Sequence, residues 1–131
     1  MKTSEALMSV DLKQKRILLP RLVIGALGNP SHLCFFYDKA RCGLIVSAAS
    51  KGDLDAYEIS ACYWKHTRTP CTISRIAFLK ALQYRTGWED GRFYHFKGAL
   101  AQFEGRNGFI FDLSEEVRRG ETQENRENLE R

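Results

Sequence analysis

Leu33-Cys34-Phe35-Phe36-Tyr37, then Asp38-Lys39-Ala40-Arg41, then Cys42-Gly43-Leu44-Ile45-Val46-Ser47-Ala48, is the stretch on which the fold turns. Two short apolar runs flank four turn-forming residues, which is the signature of a β-hairpin. Neither run alternates: Cys34 to Tyr37 are apolar in succession, and so are Leu44, Ile45 and Val46. A strand that is apolar on both faces must be covered on both faces. One hairpin and one short helix cannot do that. Each such unit must therefore interlock with another, either a tandem copy of itself or a second chain.

Working outward, Arg16-Ile17-Leu18-Leu19 reads as a strand, and Pro20 suits a first helical position because its missing N–H costs nothing there. A short helix then closes near Leu27, with Gly28 as its left-handed stop. A second segment repeats this order. Cys71-Thr72-Ile73 reads as a strand, Ser74 as the cap of a helix from Arg75 to Leu82, and Phe93–Phe96 and Ala99–Phe103 as strands joined by a Lys97-Gly98 turn. Gly105-Arg106-Asn107-Gly108 reads as a hairpin turn into a strand from Phe109 to Leu113. A strand from Ile59 to Trp64 is expected to pair alongside. Leu18-Leu19-Pro20-Arg21-Leu22-Val23-Ile24 echoes Thr72-Ile73-Ser74-Arg75-Ile76-Ala77-Phe78, with the Arg identical. The chain thus divides into a first unit at 1–49, a connector at 50–58, a second unit at 59–113 and a charged tail at 114–131. That tail holds almost nothing apolar and is expected to be a solvated helix or a disordered end.

The composition, 44% hydrophobic and 27% charged over 131 residues, is that of a globular protein. No apolar run is long enough to span a bilayer, and the first residues lack the apolar core of a signal peptide. A cytoplasmic protein without membrane contact is expected, with its four cysteines as free thiols. Each unit carries a net charge of +4, while the connector and the tail are each −2. Two equally basic halves with an acidic connector suit an anionic partner such as nucleic acid.

Chemistry-bearing residues are sparse. Cys62, His66, Cys71 and His95 have the residue types of a zinc site, but their spacing matches none of the short paired motifs, so neither a metal nor a cofactor is expected. Cys71 precedes a helix, yet no orienting third residue or oxyanion loop accompanies it, so no enzyme is expected. Gly105–Gly108 is not a phosphate loop, because no helix opening on Lys-Ser/Thr follows. The aromatic residues Trp64, Trp88, Phe93, Tyr94 and Phe96 suit a core, and stacking on single-stranded bases is the other use for them.

The first unit resembles the swapped-hairpin DNA-binding module of the AbrB, SpoVT and MraZ transcription regulators. The resemblance lies in Val10-Asp11, Arg16, Ile17-Leu18-Leu19-Pro20, a helix closing at Leu27-Gly28, and a hairpin turning at Asp38. It covers residues 9–48; residues 69–113 follow the same order of parts, and the tandem arrangement is similar to MraZ. Lys15 stands where the family has Gly, one extra residue separates Asp11 from Arg16, Ile24 and Gly25 stand where AbrB-type helices carry an Arg pair, and Ser74 stands where Pro is expected. The resemblance implies a mainly β fold with short helices (α+β), built of two tandem swapped-hairpin units in an interlocked barrel-like core. It implies a bacterial transcription regulator that binds double-stranded DNA and forms homo-oligomers, with Arg16 facing phosphate or a base edge. Charge and position add Lys13, Lys15, Arg21 and, in the second unit, Arg75 as DNA-binding residues. The alternative is a non-enzymatic protein-interaction or antitoxin-like module on the same fold, with a protein partner in place of DNA.

Overall fold

The computed structural model of the chain describes residues 5–103 and 105–117. Their backbone is mainly β, with three short helices against a curled antiparallel sheet that forms half a barrel. The elements are β1 (Glu5–Asp11), β2 (Arg16–Leu19), α1 (Arg21–Ala26), β3 (His32–Asp38), β4 (Gly43–Ala49), β5 (Tyr57–Glu58), α2 (Ala61–Lys65), β6 (Cys71–Ile73), α3 (Ile76–Thr86), β7 (Phe93–Phe103) and β8 (Arg106–Glu116). In space the strands lie in the order β5-β3-β4-β8-β7-β1-β2-β6.

The pattern of β4 explains that order. Leu44, Ile45, Val46 and Ser47 are all buried, so this strand needs a neighbour on each edge and cover on each face. It lies between β3 and β8, with Ile45 opposite Phe36 on one side and opposite Ile110 on the other. β1, by contrast, alternates: Met8 and Val10 are buried while Leu7 and Ser9 are half-buried, the period-two pattern of a strand with one core face. The core gathers Met8, Val10, Leu33, Leu44, Val46, Phe96, Phe109 and Phe111 from the sheet, Val23 and Ile24 from α1, and Leu79 and Leu82 from α3. Trp88 stacks on Phe96 at 5.3 Å, and Tyr94 on Phe96 at 6.1 Å. Three of the five aromatic residues singled out in the sequence are therefore core residues.

The strand order has an internal symmetry. Exchanging β1 with β5, β2 with β6, β3 with β7 and β4 with β8 maps it onto itself when its two ends are joined into a ring. The two halves of the chain are paired throughout: β1 with β7, β2 with β6, β3 with β5 and β4 with β8. These pairings draw on one chain alone. The open seam lies between β5 and β6, where Tyr57 Oη donates to the Thr72 carbonyl at 3.2 Å and accepts from the Ser74 N–H at 3.4 Å.

Several expectations are corrected. Ile59–Trp64 is not a strand: Ile59 N–H donates to the Ser31 carbonyl, and α2 follows with Tyr63 as its one buried residue, a burial that suits a helical turn. The expected connector at 50–58 contains β5. Ser74 does not cap α3; Arg75 occupies that position without a side-chain cap, and the helix runs past Leu82 to Thr86, where Gly87 stops it at φ +79°. Lys97-Gly98 is not a turn. The strand passes straight through with a bulge between Phe96 and Gly98, and Gly98 admits the Phe111 ring against its backbone. The hairpin turns ahead of Arg106, which pairs with Phe103; Asn107 and Gly108 already belong to β8. The Ile45 side chain and the Val46 carbonyl lie close over Gly108. β8 extends to Glu116, into the expected tail, and residues 118–131 lie outside the described residues.

Candidate nucleic-acid interface

The β1–β2 turn is organised by a single buried carboxylate. Asp11, 2% exposed, accepts the backbone N–H groups of Lys13 and Gln14 on Oδ1, each at 3.0 Å. Its Oδ2 lies 3.2 Å from Arg16 Nε. A carboxylate out of water needs this many donors. Lys15 occupies a left-handed backbone position, φ +60°, the kind of position that favours glycine. Leu12 N–H donates to the Arg92 carbonyl, tying the turn to the start of β7.

Three of the five residues expected to meet DNA share this turn. Lys13 is exposed and enters no ion pair among the described residues. Lys15 Nζ lies 3.3 Å from Asp90. The Gln83 amide, 2.7 Å away, and then Lys15 hold the Asp90 carboxyl below its ordinary range. Arg16 meets Asp11 through Nε, and its side chain is one-third exposed.

The other two lie apart. Arg21 follows the far end of β2, where its guanidinium stacks 3.8 Å over the Tyr63 ring. It donates to the carbonyls of Thr69, at 2.8 Å, and Tyr63, at 3.2 Å. Arg75 lies just past β6, toward the β1–β2 turn, and donates to the Asp55 carbonyl at 3.0 Å. Both guanidiniums hold backbone.

Sequence reasoning missed the outward face beside the turn. Because Tyr94 and Phe96 point into the core, Phe93, His95 and Lys97 point out. Asp11 is opposite Phe93 and Arg16; Ser9 is opposite His95 and Leu18; Leu7 is opposite Lys97. Ser9 Oγ is hydrogen-bonded to His95 Nδ1 at 2.9 Å. An open groove of about 540 Å³ continues this face, lined by Leu7, Ser9 and Leu18 and, past the strands, by Arg21, Arg68 and Pro70. Period-two alternation counted from Tyr94 is the signal that finds it.

The cysteine and histidine residues do not converge. Cys62 and His66 are neighbours on exposed α2, with Sγ 3.7 Å from Nδ1. Cys71 is buried on β6, and His95 is three strands away on β7. No group of three or more His, Cys, Asp or Glu among the described residues is arranged to hold a metal ion. Burial pushes the Cys71 thiol up to about 11, away from the thiolate a nucleophile needs. No helix among the described residues is long and apolar enough to cross a membrane. No family model, curated protein or solved structure matches the chain.

Proposed function

We propose that the chain is a non-enzymatic, DNA-binding transcription regulator of AbrB/MraZ type that presents its β1–β2 turn to duplex DNA. The observation that carries this reading is the turn itself: Asp11 fixes Arg16, flanked by Lys13 and Lys15, at the β1–β2 turn of the half-barrel sheet. The left-handed backbone at Lys15 supports it further, since the family resembled has Gly there. Arginine supplies the planar donor fork that meets a phosphate or a guanine edge. Lys13 and Lys15 act as point charges that displace counterions from the duplex. The buried, neutral Cys71 thiol supports the non-enzymatic part of the reading.

Duplex binding measured against salt tests it. Affinity should fall steeply as salt rises. Lys13→Ala should weaken all sequences about equally and flatten the log–log slope by about one. Arg16→Ala should cost roughly 1–3 kcal/mol and relax discrimination at one base pair if it reads a base edge. No salt-sensitive binding to any duplex at micromolar protein would overturn the reading.

A protein-interaction or antitoxin-like module is the second reading, and a specific observation favours it. Arg21 and Arg75 are held by backbone carbonyls, and Lys15 is held by Asp90. With Arg16 paired to Asp11, four of the five cations considered for DNA thus already have partners. On this reading the fold is kept, the DNA contacts are lost, and the duplex titration is flat.

A further inference from the structure

We infer that the outward face of β7, β1, β2 and β6 binds single-stranded nucleic acid, with Phe93 as the platform on which a base stacks. The ladder registers set out this face as rows. The first runs Phe93, Asp11, Arg16; the second His95, Ser9, Leu18, Thr72; the third Lys97, Leu7 and, past the end of β2, Pro20. Strand spacing of about 4.8 Å and a repeat of about 6.7 Å for every second residue make it a patch roughly 14 Å on a side.

Its chemistry is sorted. Phe93 is 47% exposed although it lies mid-sheet opposite a buried Asp11, while the neighbouring Tyr94 and Phe96 are buried. The His95 ring lies 5.6 Å from it at an interplanar angle of 32° and extends the aromatic surface. Cations stand at the margins: Lys13, Lys15 and Arg16 at the turn, Lys97 in the third row, and exposed Arg68 at the far wall of the groove. The acids within it are Asp11, which is buried, and Asp90, which is paired with Lys15. Glu5, one row beyond Lys97, marks its limit. The middle row of His95, Ser9, Leu18 and Thr72 carries no carboxylate. An aromatic platform beside a middle row without carboxylates, with basic margins, suits unpaired bases and their phosphates, because every base has a face that stacks. A duplex hides those faces. The inference rests on the nucleic-acid reading of the turn, and Arg16 and Lys15 are shared by both.

Fluorescence anisotropy of the full chain with labelled oligothymidine, oligouridine and a mixed-sequence duplex tests it. Wild type should bind at least one of the two single strands. Phe93→Leu keeps an apolar side chain without a π-face and should raise the single-strand Kd about tenfold, while leaving duplex Kd and thermal melting unchanged. Phe93→Tyr should bind as wild type. Lys97→Ala should flatten the single-strand salt slope by about 0.7. A wild-type protein that binds only the duplex overturns this inference and leaves the duplex reading standing. Single-strand binding without duplex binding does the reverse. Equal single-strand affinity of wild type and Phe93→Leu removes Phe93 as the platform and overturns the inference.

Discussion

Leu18 of β2 lies directly opposite Thr72 of β6, and these two residues occupy the same position in the two echoed segments of the chain. The identical arginines that follow these two residues each hold a connection of the chain by its backbone. Arg21 ties down the connection between β5 and β6 through the carbonyls of Tyr63 and Thr69. Arg75 ties down the connection between β4 and β5 through the carbonyl of Asp55. Arg21→Ala deletes two charge-assisted hydrogen bonds and a cation–π contact, and should lower stability by about 2–3 kcal/mol. Arg75→Ala deletes one bond and should cost about 1 kcal/mol. Urea denaturation of both variants checks the order. Equal costs would mean that neither the second hydrogen bond nor the Tyr63 stacking contributes.

Gly98 carries the contact between β7 and β8 that tolerates least change. A methyl at this position would overlap the Phe111 ring and stand 2.7 Å from the Ile110 carbonyl oxygen. Phe111 is fully buried, so neither it nor the β8 backbone has room to move. Gly98→Ala should destabilise by about 1–3 kcal/mol through overpacking. Gly25→Ala is the control, because nothing lies within 4 Å of a methyl there and the residue is helical. It should be neutral or stabilising by up to about 1 kcal/mol. Thermal melting of the two variants together makes the comparison.

Asp90 competes with phosphate for Lys15. Its carboxyl accepts from Gln83 and Lys15 and is held ionised below its ordinary range, so the pair persists through neutral pH and breaks only as pH falls through that lowered value. Asp90→Asn removes the competitor without altering the backbone. Duplex binding should tighten severalfold, and the log–log salt slope should steepen by up to about one as Lys15 becomes available. An unchanged slope would show that Lys15 does not reach the duplex.

Local signals made much of this fold legible. Arg16–Leu19 and Cys71–Ile73 are strands in the sequence reading and in the structure alike, because Pro20 and the apolar triplets leave little else for them to be. The hairpin at Asp38 is likewise local: Asp38 Oδ1 accepts the N–H groups of Ala40 and Arg41. What was illegible depends on contacts distant in sequence. Glu5–Asp11 has the period of a strand, but its value as one comes from β7, about ninety residues on. Lys97-Gly98 looks like a turn until Phe111 packs on the glycine. Asn107-Gly108 has turn chemistry, and the Ile45 side chain overrides it. In the candidate site the same division holds. Lys13, Lys15 and Arg16 come together because they are neighbours in sequence. Arg21 and Arg75 read as DNA-facing cations in the sequence, because the carbonyls that hold them, at Tyr63, Thr69 and Asp55, are set in place only by the tertiary fold. Phe93 was grouped with the core aromatics because composition does not say which side of a strand a residue faces.

Cys71 gives the stability of the protein a signature at alkaline pH. Burial on β6 raises its thiol to about 11, and the nearby Arg21 cation opposes that rise without cancelling it. In the unfolded chain the same thiol titrates near 8.5. Between these values the unfolded state loses the proton and the folded state keeps it, so unfolding releases a proton and stability falls as pH rises. The contribution is fully present below about pH 8.5 and is lost progressively up to pH 11, amounting to roughly 2–3 kcal/mol. Tyr63, also raised by burial, adds to the fall above pH 10. Cys71→Ala deletes the thiol's share, so the difference in unfolding free energy between wild type and variant should shrink as pH rises from 8 to 10.5. Thiol labelling at pH 8 gives an independent readout. Exposed Cys62 should react in the native protein, whereas Cys34 and Cys71, both buried, should react only on unfolding. A pH-independent difference between wild type and Cys71→Ala, together with fast native labelling of Cys71, would show that β6 opens to solvent and that the β5–β6 seam is not closed by Tyr57.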